Sequence, residues 1–247
     1  VVLHAEEGRL TTPAVRVLVA TAVPAERDAV ARAFTKFPGT PGTPGAPGTP
    51  GTPGTPGAIL AVGVGPARAA AATATALAGT PYDLVISAGI GGGFQPYAPV
   101  GSLVVADEIT AADLGAETPD GFLPVTELGF GAVTHRPPES LVREFAAATG
   151  ARTGAVLTVS TVTGTATRAA ALLERHPTAL AEAMEGFGVA EAAIAHGVPV
   201  LEIRAVSNPV GPRDRAAWRI GEALAALTEA FGKLAPLLES WNPHDHR

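Results

Sequence analysis

Short apolar runs and helically spaced amphipathic stretches alternate along this chain. The runs at roughly 15–21, 58–64, 83–88, 102–106, 155–160 and 199–206 read as buried strands. The stretches at about 25–35, 66–78, 139–149, 166–175, 184–196 and 216–240 read as helices. Strand and helix in alternation favour a parallel sheet with helices packed on it. Pro24 can open the first helix, which puts Glu26 in its first turn, close to the carboxyl end of the first strand. The last strand ends in Ser207 and Asn208, where an α/β sheet presents ligand contacts.

One segment breaks the alternation. From Pro38 to Ala58 the chain repeats Pro-Gly-Thr or Pro-Gly-Ala. Inside a chain of this kind such a tract reads as a solvated, polyproline-prone loop without chemical function. Residues 1–13 and 241–247 carry no pattern and read as tails, leaving 14–240 as a single domain.

Composition narrows the classes. At 247 residues and 47% hydrophobic content the chain can bury one substantial core. A formal net charge of −6 offers no basic field for a phosphate backbone, so nucleic acid is not an expected partner. The absence of cysteine removes thiolate metal sites and disulfides, which fits a reducing, cytoplasmic setting. No apolar run approaches the roughly 18 residues of a membrane span, and the run at 17–23 reads as a strand, not a signal core. His244, Asp245 and His246 read as polar tail, with no metal site expected.

Two glycine clusters bear on chemistry. The first, Gly63 and Gly65 ahead of Pro66, has half of a dinucleotide fingerprint, but Arg68 stands where its third glycine belongs, so a nicotinamide or flavin enzyme is disfavoured. The second, Gly89 through Gly93 interrupted by Ile90, closes a strand and lets the backbone approach a ligand. Met184, the one methionine of the chain, sits beside Glu185 at a helix start.

Glu26 after the first strand, Val62 to Gly65, Ser87 to Gly93, Val159-Ser160, Ala183-Met184-Glu185 and Arg204 to Asn208 occur in the order and spacing of the nucleoside phosphorylase/nucleosidase family. The likeness spans about residues 15–237, and Ser207 through Arg215 with Trp218 resembles its futalosine-splitting branch in the menaquinone pathway. That resemblance implies an α/β, three-layer fold whose central sheet is mixed and partly barrel-like, flanked by helices, in a homodimer or larger homo-oligomer. It implies a small-molecule nucleoside partner, no membrane, and no metal or organic cofactor. By the same resemblance Glu26 activates water and Arg204 helps to position it, Glu185 accepts from the sugar hydroxyls, and Met184 packs on the sugar face. Gly89 and Gly92 line the site with Ser207, the backbone at Val162 and Thr163 meets the base, and Phe187 lines the 5′ side, where Arg213, Arg215 or Arg219 could meet a carboxylate. Ile90 and Ala183 depart from the nucleosidase pattern, which has a serine and a glutamate there.

Asn208 selects the base. An amide NH₂ can donate to the acceptors N7 and O6 of hypoxanthine or guanine, whereas a carboxylate would repel them. Since Asn cannot transfer a proton, it stabilises charge on the leaving purine. A carboxylate at residue 26 repels phosphate and makes water the better nucleophile. The other readings are a phosphate-dependent 6-oxopurine nucleoside phosphorylase, with Arg68 as phosphate ligand, and a catalytically inactive nucleoside-binding protein.

Overall fold

A computed structural model describes residues 15–35 and 57–241. Its elements, in chain order, are β1 (Val17–Thr21), α1 (Pro24–Thr35), β2 (Ala58–Ala61), α2 (Pro66–Gly79), β3 (Leu84–Gly93), β4 (Leu103–Ala111), β5 (Gly115–Thr118), β6 (Gly121–Pro124) and β7 (Thr134–His135). They continue with α3 (Glu139–Thr149), β8 (Arg152–Thr158), α4 (Ala166–Arg175), β9 (Ala179–Ala183), α5 (Gly186–Ala195), β10 (Val200–Pro209), a 3-10 turn (Arg215–Ala217) and α6 (Ile220–Ser240). The tails and most of the Pro-Gly-Thr tract lie outside the described residues, which resume at Gly57 just before β2.

The strands β1 and β3 are apolar on both faces because both faces are covered. Val17, Val19, Leu84 and Ile86 point into one core with α1, α3 and α6, where Phe145 and Phe231 are buried. Leu18, Ala20 and Val85 point into a second core with α2 and α5. Helices on either side of the sheet give three layers. A smaller cluster seats Leu172 of α4 against Leu157 of β8.

The sheet is mixed, not the parallel one that strand–helix alternation alone favours. β10 pairs parallel to β3 on one side and antiparallel to β4 on the other. β4 then pairs with β8, β8 with β9, and β9 antiparallel to β3. The path β3–β10–β4–β8–β9 therefore returns to β3 and closes a barrel, from which β1 and β2 extend as an open wing. Closure removes edges that would otherwise stay unpaired.

Closure also splits the edge of β3. Leu84 through Ser87 pair with β1, whereas Gly92 and Gly93 pair with Glu182 and Ala181 of β9. Between those pairings β1 has ended and β9 has not begun. The glycines make the bend possible: a Cβ on Gly91 would stand 2.8 Å from the Glu182 carbonyl oxygen, and one on Gly93 2.0 Å from that of Ala98.

Several elements differ from the pattern-based expectation. The glycine run is the second half of β3, not a turn after it. β9, Ala-Leu-Ala-Glu-Ala, has helix-like composition and becomes a strand only through its neighbours β8 and β3. The β5–β6 hairpin was not anticipated, α5 begins at Gly186 with Glu185 as its N-cap, and α6 begins at Ile220.

Phe145→Ala should cost about 3–5 kcal/mol, the usual range for removing a buried ring, because this side chain is 0% exposed in the main core. Urea unfolding should report it as a lower midpoint at unchanged slope.

Candidate active site at the split edge of the sheet

The gap on β3 leaves the Ile90 N–H without a strand partner on that side, and Glu26 takes it. Its Oε1 accepts from Ile90 N at 2.9 Å, while Oε2 accepts from Ala22 N and Val23 N at 2.9 and 3.2 Å. The turn after β1 thus folds back around the carboxylate of the helix it leads into. Glu26 is 4% exposed. Burial pushes its carboxyl above the ordinary range; the charge of Arg204 and the N–H of Ile90 oppose this without cancelling it, and Glu185 adds to the rise.

Arg204 on β10 lies opposite Gly89 of β3. Its guanidinium is 1% exposed and makes three polar contacts: Nε to Glu202 Oε1 at 2.8 Å, Nη2 to Ser87 Oγ at 3.0 Å, and Nη1 to Glu185 Oε2 at 3.5 Å. Burial alone would lower its pKa, but Glu202, Glu185 and Glu26 together raise it, so the cation is secure. Glu185 also accepts from Gly65 N at 3.3 Å, the glycine just before α2, whose φ of 89° disfavours a side chain. Gly89 is required by this arrangement, since its Cβ would stand 2.6 Å from Glu26 Oε1 and 2.7 Å from Arg204 Nη1.

A bulge places Asn208. Val206 pairs with Gly91 and Asn208 with Gly92, so Ser207 is the extra residue on β10. Ser207 is 1% exposed, and its hydroxyl lies 2.8 Å from Asn208 Oδ1 and 3.2 Å from the Gly91 carbonyl. That occupies the amide oxygen of Asn208. Its Nδ2 donates one hydrogen to the Pro209 carbonyl at 3.0 Å and keeps a second N–H. A Cβ on Gly92 would sit 3.3 Å from this nitrogen. Glu26, Arg204 and Asn208 therefore meet one stretch of β3, residues 89–92, spanning roughly 10 Å of strand.

The remaining candidates divide. Met184, half-buried, links the end of β9 to Glu185 at the same split. Val162 is 39% exposed, but the Thr163 side chain is buried and spent on Glu182, whose carboxylate accepts from both its N–H and its hydroxyl. Ser160 N donates to Asp113, so two acids tether this loop. Phe187 is 7% exposed, its ring stacked on His135. Arg213 and Arg215 both lie over Trp218, at 5.5 and 5.9 Å from the ring centroid, and Arg219 faces Glu222 at 3.8 Å. Arg68 packs its stem across Gly63. Among the described residues no set of three His, Cys, Asp or Glu is placed to hold a metal ion, and no described helix is long and apolar enough to cross a membrane.

Sequence reasoning missed Glu182 and Glu202 and gave Ser87 no role of its own. The available signal was a charged residue within an otherwise apolar strand: Glu202 stands two positions before Arg204, which puts both on one face of β10.

With this geometry in place, comparison with known proteins is informative. The family model described as phosphorylase superfamily matches residues 16–240. Futalosine hydrolase of Streptomyces coelicolor is 74% identical over 92% of this chain and 98% of its own length. Futalosine hydrolase of Thermus thermophilus is 37% identical over 71% of this chain and 79% of its own. Among solved structures, native futalosine hydrolase of Helicobacter pylori aligns with a TM-score of 0.73 at 15% identity, covering 90% of this chain and 98% of that one. A Colwellia psychrerythraea 5′-methylthioadenosine/S-adenosylhomocysteine nucleosidase in complex with adenine also aligns at 0.73, with 22% identity over 91% of this chain and 96% of that one. At such identities the structural likeness speaks for the fold.

Gly89→Ala should force Glu26 and Arg204 apart and lower stability by about 1–3 kcal/mol, as overpacking does. Chemical denaturation should read the loss, and a crystal structure of the variant should show the Glu26 carboxylate displaced from Ile90 N.

Proposed function

This chain belongs to the phosphorylase superfamily, and from that premise we propose that the split-edge site hydrolyses the N-glycosidic bond of futalosine, releasing hypoxanthine and dehypoxanthine futalosine. The observation that carries the choice of base is the amide of Asn208. Its oxygen faces the Ser207 hydroxyl, and its Nδ2 keeps one N–H to offer to a ligand. Such a donor suits the N7 and O6 acceptors of a 6-oxopurine.

The chemistry follows from charge. As the bond breaks, the sugar becomes cationic and the purine anionic. Glu26, buried and with a raised pKa, takes a proton from water attacking C1′, a contribution of about 10²–10⁴-fold for a positioned base. Glu185 accepts from sugar hydroxyls and keeps negative charge beside the developing cation, with Met184 against the sugar. Asn208 donates a hydrogen bond to the purine as charge builds on it, worth about 3 kcal/mol for one well-aimed donor; the departing hypoxanthine anion then collects its proton from water, and Glu26 returns its own to solvent. Arg204 pairs with Glu185, places its charge near Glu26 and helps to orient the water. Gly89 and Gly92 let the ligand approach β3, and the Val162–Thr163 loop, tethered by Glu182, supplies backbone to the base. Phe187 enters as packing at the sugar's 5′ end, and Arg213 or Arg215 as the cation for a 5′ carboxylate. No step requires a metal or an organic cofactor.

Phosphorolysis is the second reading, and Glu26 opposes it. An acid bonded by three backbone N–H groups occupies the donors that a phosphate would need. The hydrolytic reading takes residues 14–240 as one catalytic unit acting in the cytoplasm. It expects a homodimer or larger homo-oligomer, which the exposure of Tyr97 and Phe130, 54% and 68%, supports.

Incubation with futalosine, inosine, guanosine and methylthioadenosine, with and without phosphate, should release hypoxanthine from futalosine at a rate independent of phosphate. Release that requires phosphate, or binding without release, would replace this reading with one of its alternatives. Glu26→Gln should abolish turnover and, because its NH₂ must face a backbone N–H from which the carboxylate now accepts, also lower the melting temperature, with the far-UV circular dichroism of the parent retained. Asn208→Asp should cut hypoxanthine release about 10²–10³-fold and raise the ratio of methylthioadenosine to futalosine turnover, measured as free base.

A further inference from the structure

Three carboxylates converge on one guanidinium, and the mechanism above uses only two of them. The third, Glu202, is 0% exposed. Its Oε1 takes the Nε–H of Arg204 at 2.8 Å, and its Oε2 has no hydrogen-bond partner among the described residues. The carboxylate lies directly against Gly186, the first residue of α5, where a Cβ would come within 2.1 Å of Oε2 and 2.2 Å of Oε1. An isolated buried carboxylate is costly, and one whose second oxygen is unpaired adds little to stability beyond what an apolar residue would give. Its geometry accounts for it better. By taking Nε it fixes the plane of the guanidinium, which leaves Nη2 on Ser87 and directs Nη1 across Gly89 toward Glu185 and Glu26.

We propose that Glu202 is a positioning residue of the hydrolytic site, one that fixes the plane of Arg204 and offsets part of its charge beside Glu26. The proposal rests on the reading of Glu26 as base. The charged groups facing Glu202 are Arg204 on its own strand, Glu185 at the start of α5 and, across the guanidinium, Glu26 of α1; β3 presents the Ser87 hydroxyl. With Glu202 neutralised, the guanidinium charge falls more fully on Glu26 and favours its ionised form. Glu26 then becomes a weaker base, ionised to lower pH.

Hydrolysis depends on ionised Glu26, so the wild-type rate should fall as pH drops through a pKa above the usual carboxylate range. Glu202→Gln keeps an acceptor for Nε and removes the charge. It should move the acid limb of kcat down by roughly half a unit to one unit. It should also lower kcat at the optimum roughly tenfold, with KM within about twofold. Glu202→Asp keeps the charge and shortens the reach; its limb should stay at the wild-type position while kcat falls. An unmoved limb in Glu202→Gln, or an equal shift in both variants, overturns the proposal. Turnover in Glu26→Gln at the wild-type rate would instead overturn the assignment of the base, and the proposal with it.

Discussion

The site depends on a single buried cation. Taking a guanidinium out of water costs several kcal/mol even after relaxation, and the cost is offset only when its hydrogen bonds and its charge are both answered. Arg204 is answered from three directions, by Glu202 on its own strand, Ser87 on β3 and Glu185 at the start of α5. Glu26 is held near it by backbone N–H groups, not by a direct ion pair. The carboxylate proposed to exchange a proton is therefore the one the arginine grips least. That division lets a buried acid keep a raised pKa beside a permanent positive charge.

The barrel closure supplies the place. A strand whose edge is fully paired has no backbone donors to spare, whereas β3 is paired by β1 at one end and by β9 at the other. The interval between them gives Glu26 the Ile90 N–H and brings the ends of β1 and β9, with Glu26 and Glu185, within reach of the same guanidinium. The glycines serve this geometry, since side chains at 89, 91 and 93 would collide with Glu26, with β9 and with the segment after β3. Where the fold brings β9 in to close, the site opens.

Much of this was legible in the chain. β1, α1, α2, α3 and α4 follow from apolar periodicity and Pro24 or Pro66 at a helix start, and the described boundaries lie close to those expected. Glu26, Glu185, Arg204 and Asn208 were nameable because their spacing resembles that of a known family, and the fold brings Glu26, Arg204 and Asn208 along residues 89–92 with Glu185 on the guanidinium. What could not be read locally was set by non-local pairing. β9 is an alanine-rich segment that only its neighbours make a strand. The bulge at Ser207 exists as a register shift between two strands far apart in sequence. Glu202 is a charged position in an otherwise apolar strand, and its place in the site is set by the arginine on the same face.

The most direct test of the account is a crystal structure with the carbocyclic analogue of inosine, which resists hydrolysis and keeps N7 of its hypoxanthine as an acceptor. The purine should lie on β3 with N7 or O6 within about 3 Å of Asn208 Nδ2, the sugar hydroxyls on Glu185, and a water between Glu26 and C1′. An analogue bound away from residues 89–92, or one whose purine turns away from Asn208 while phosphate or another anion displaces the water, would contradict it.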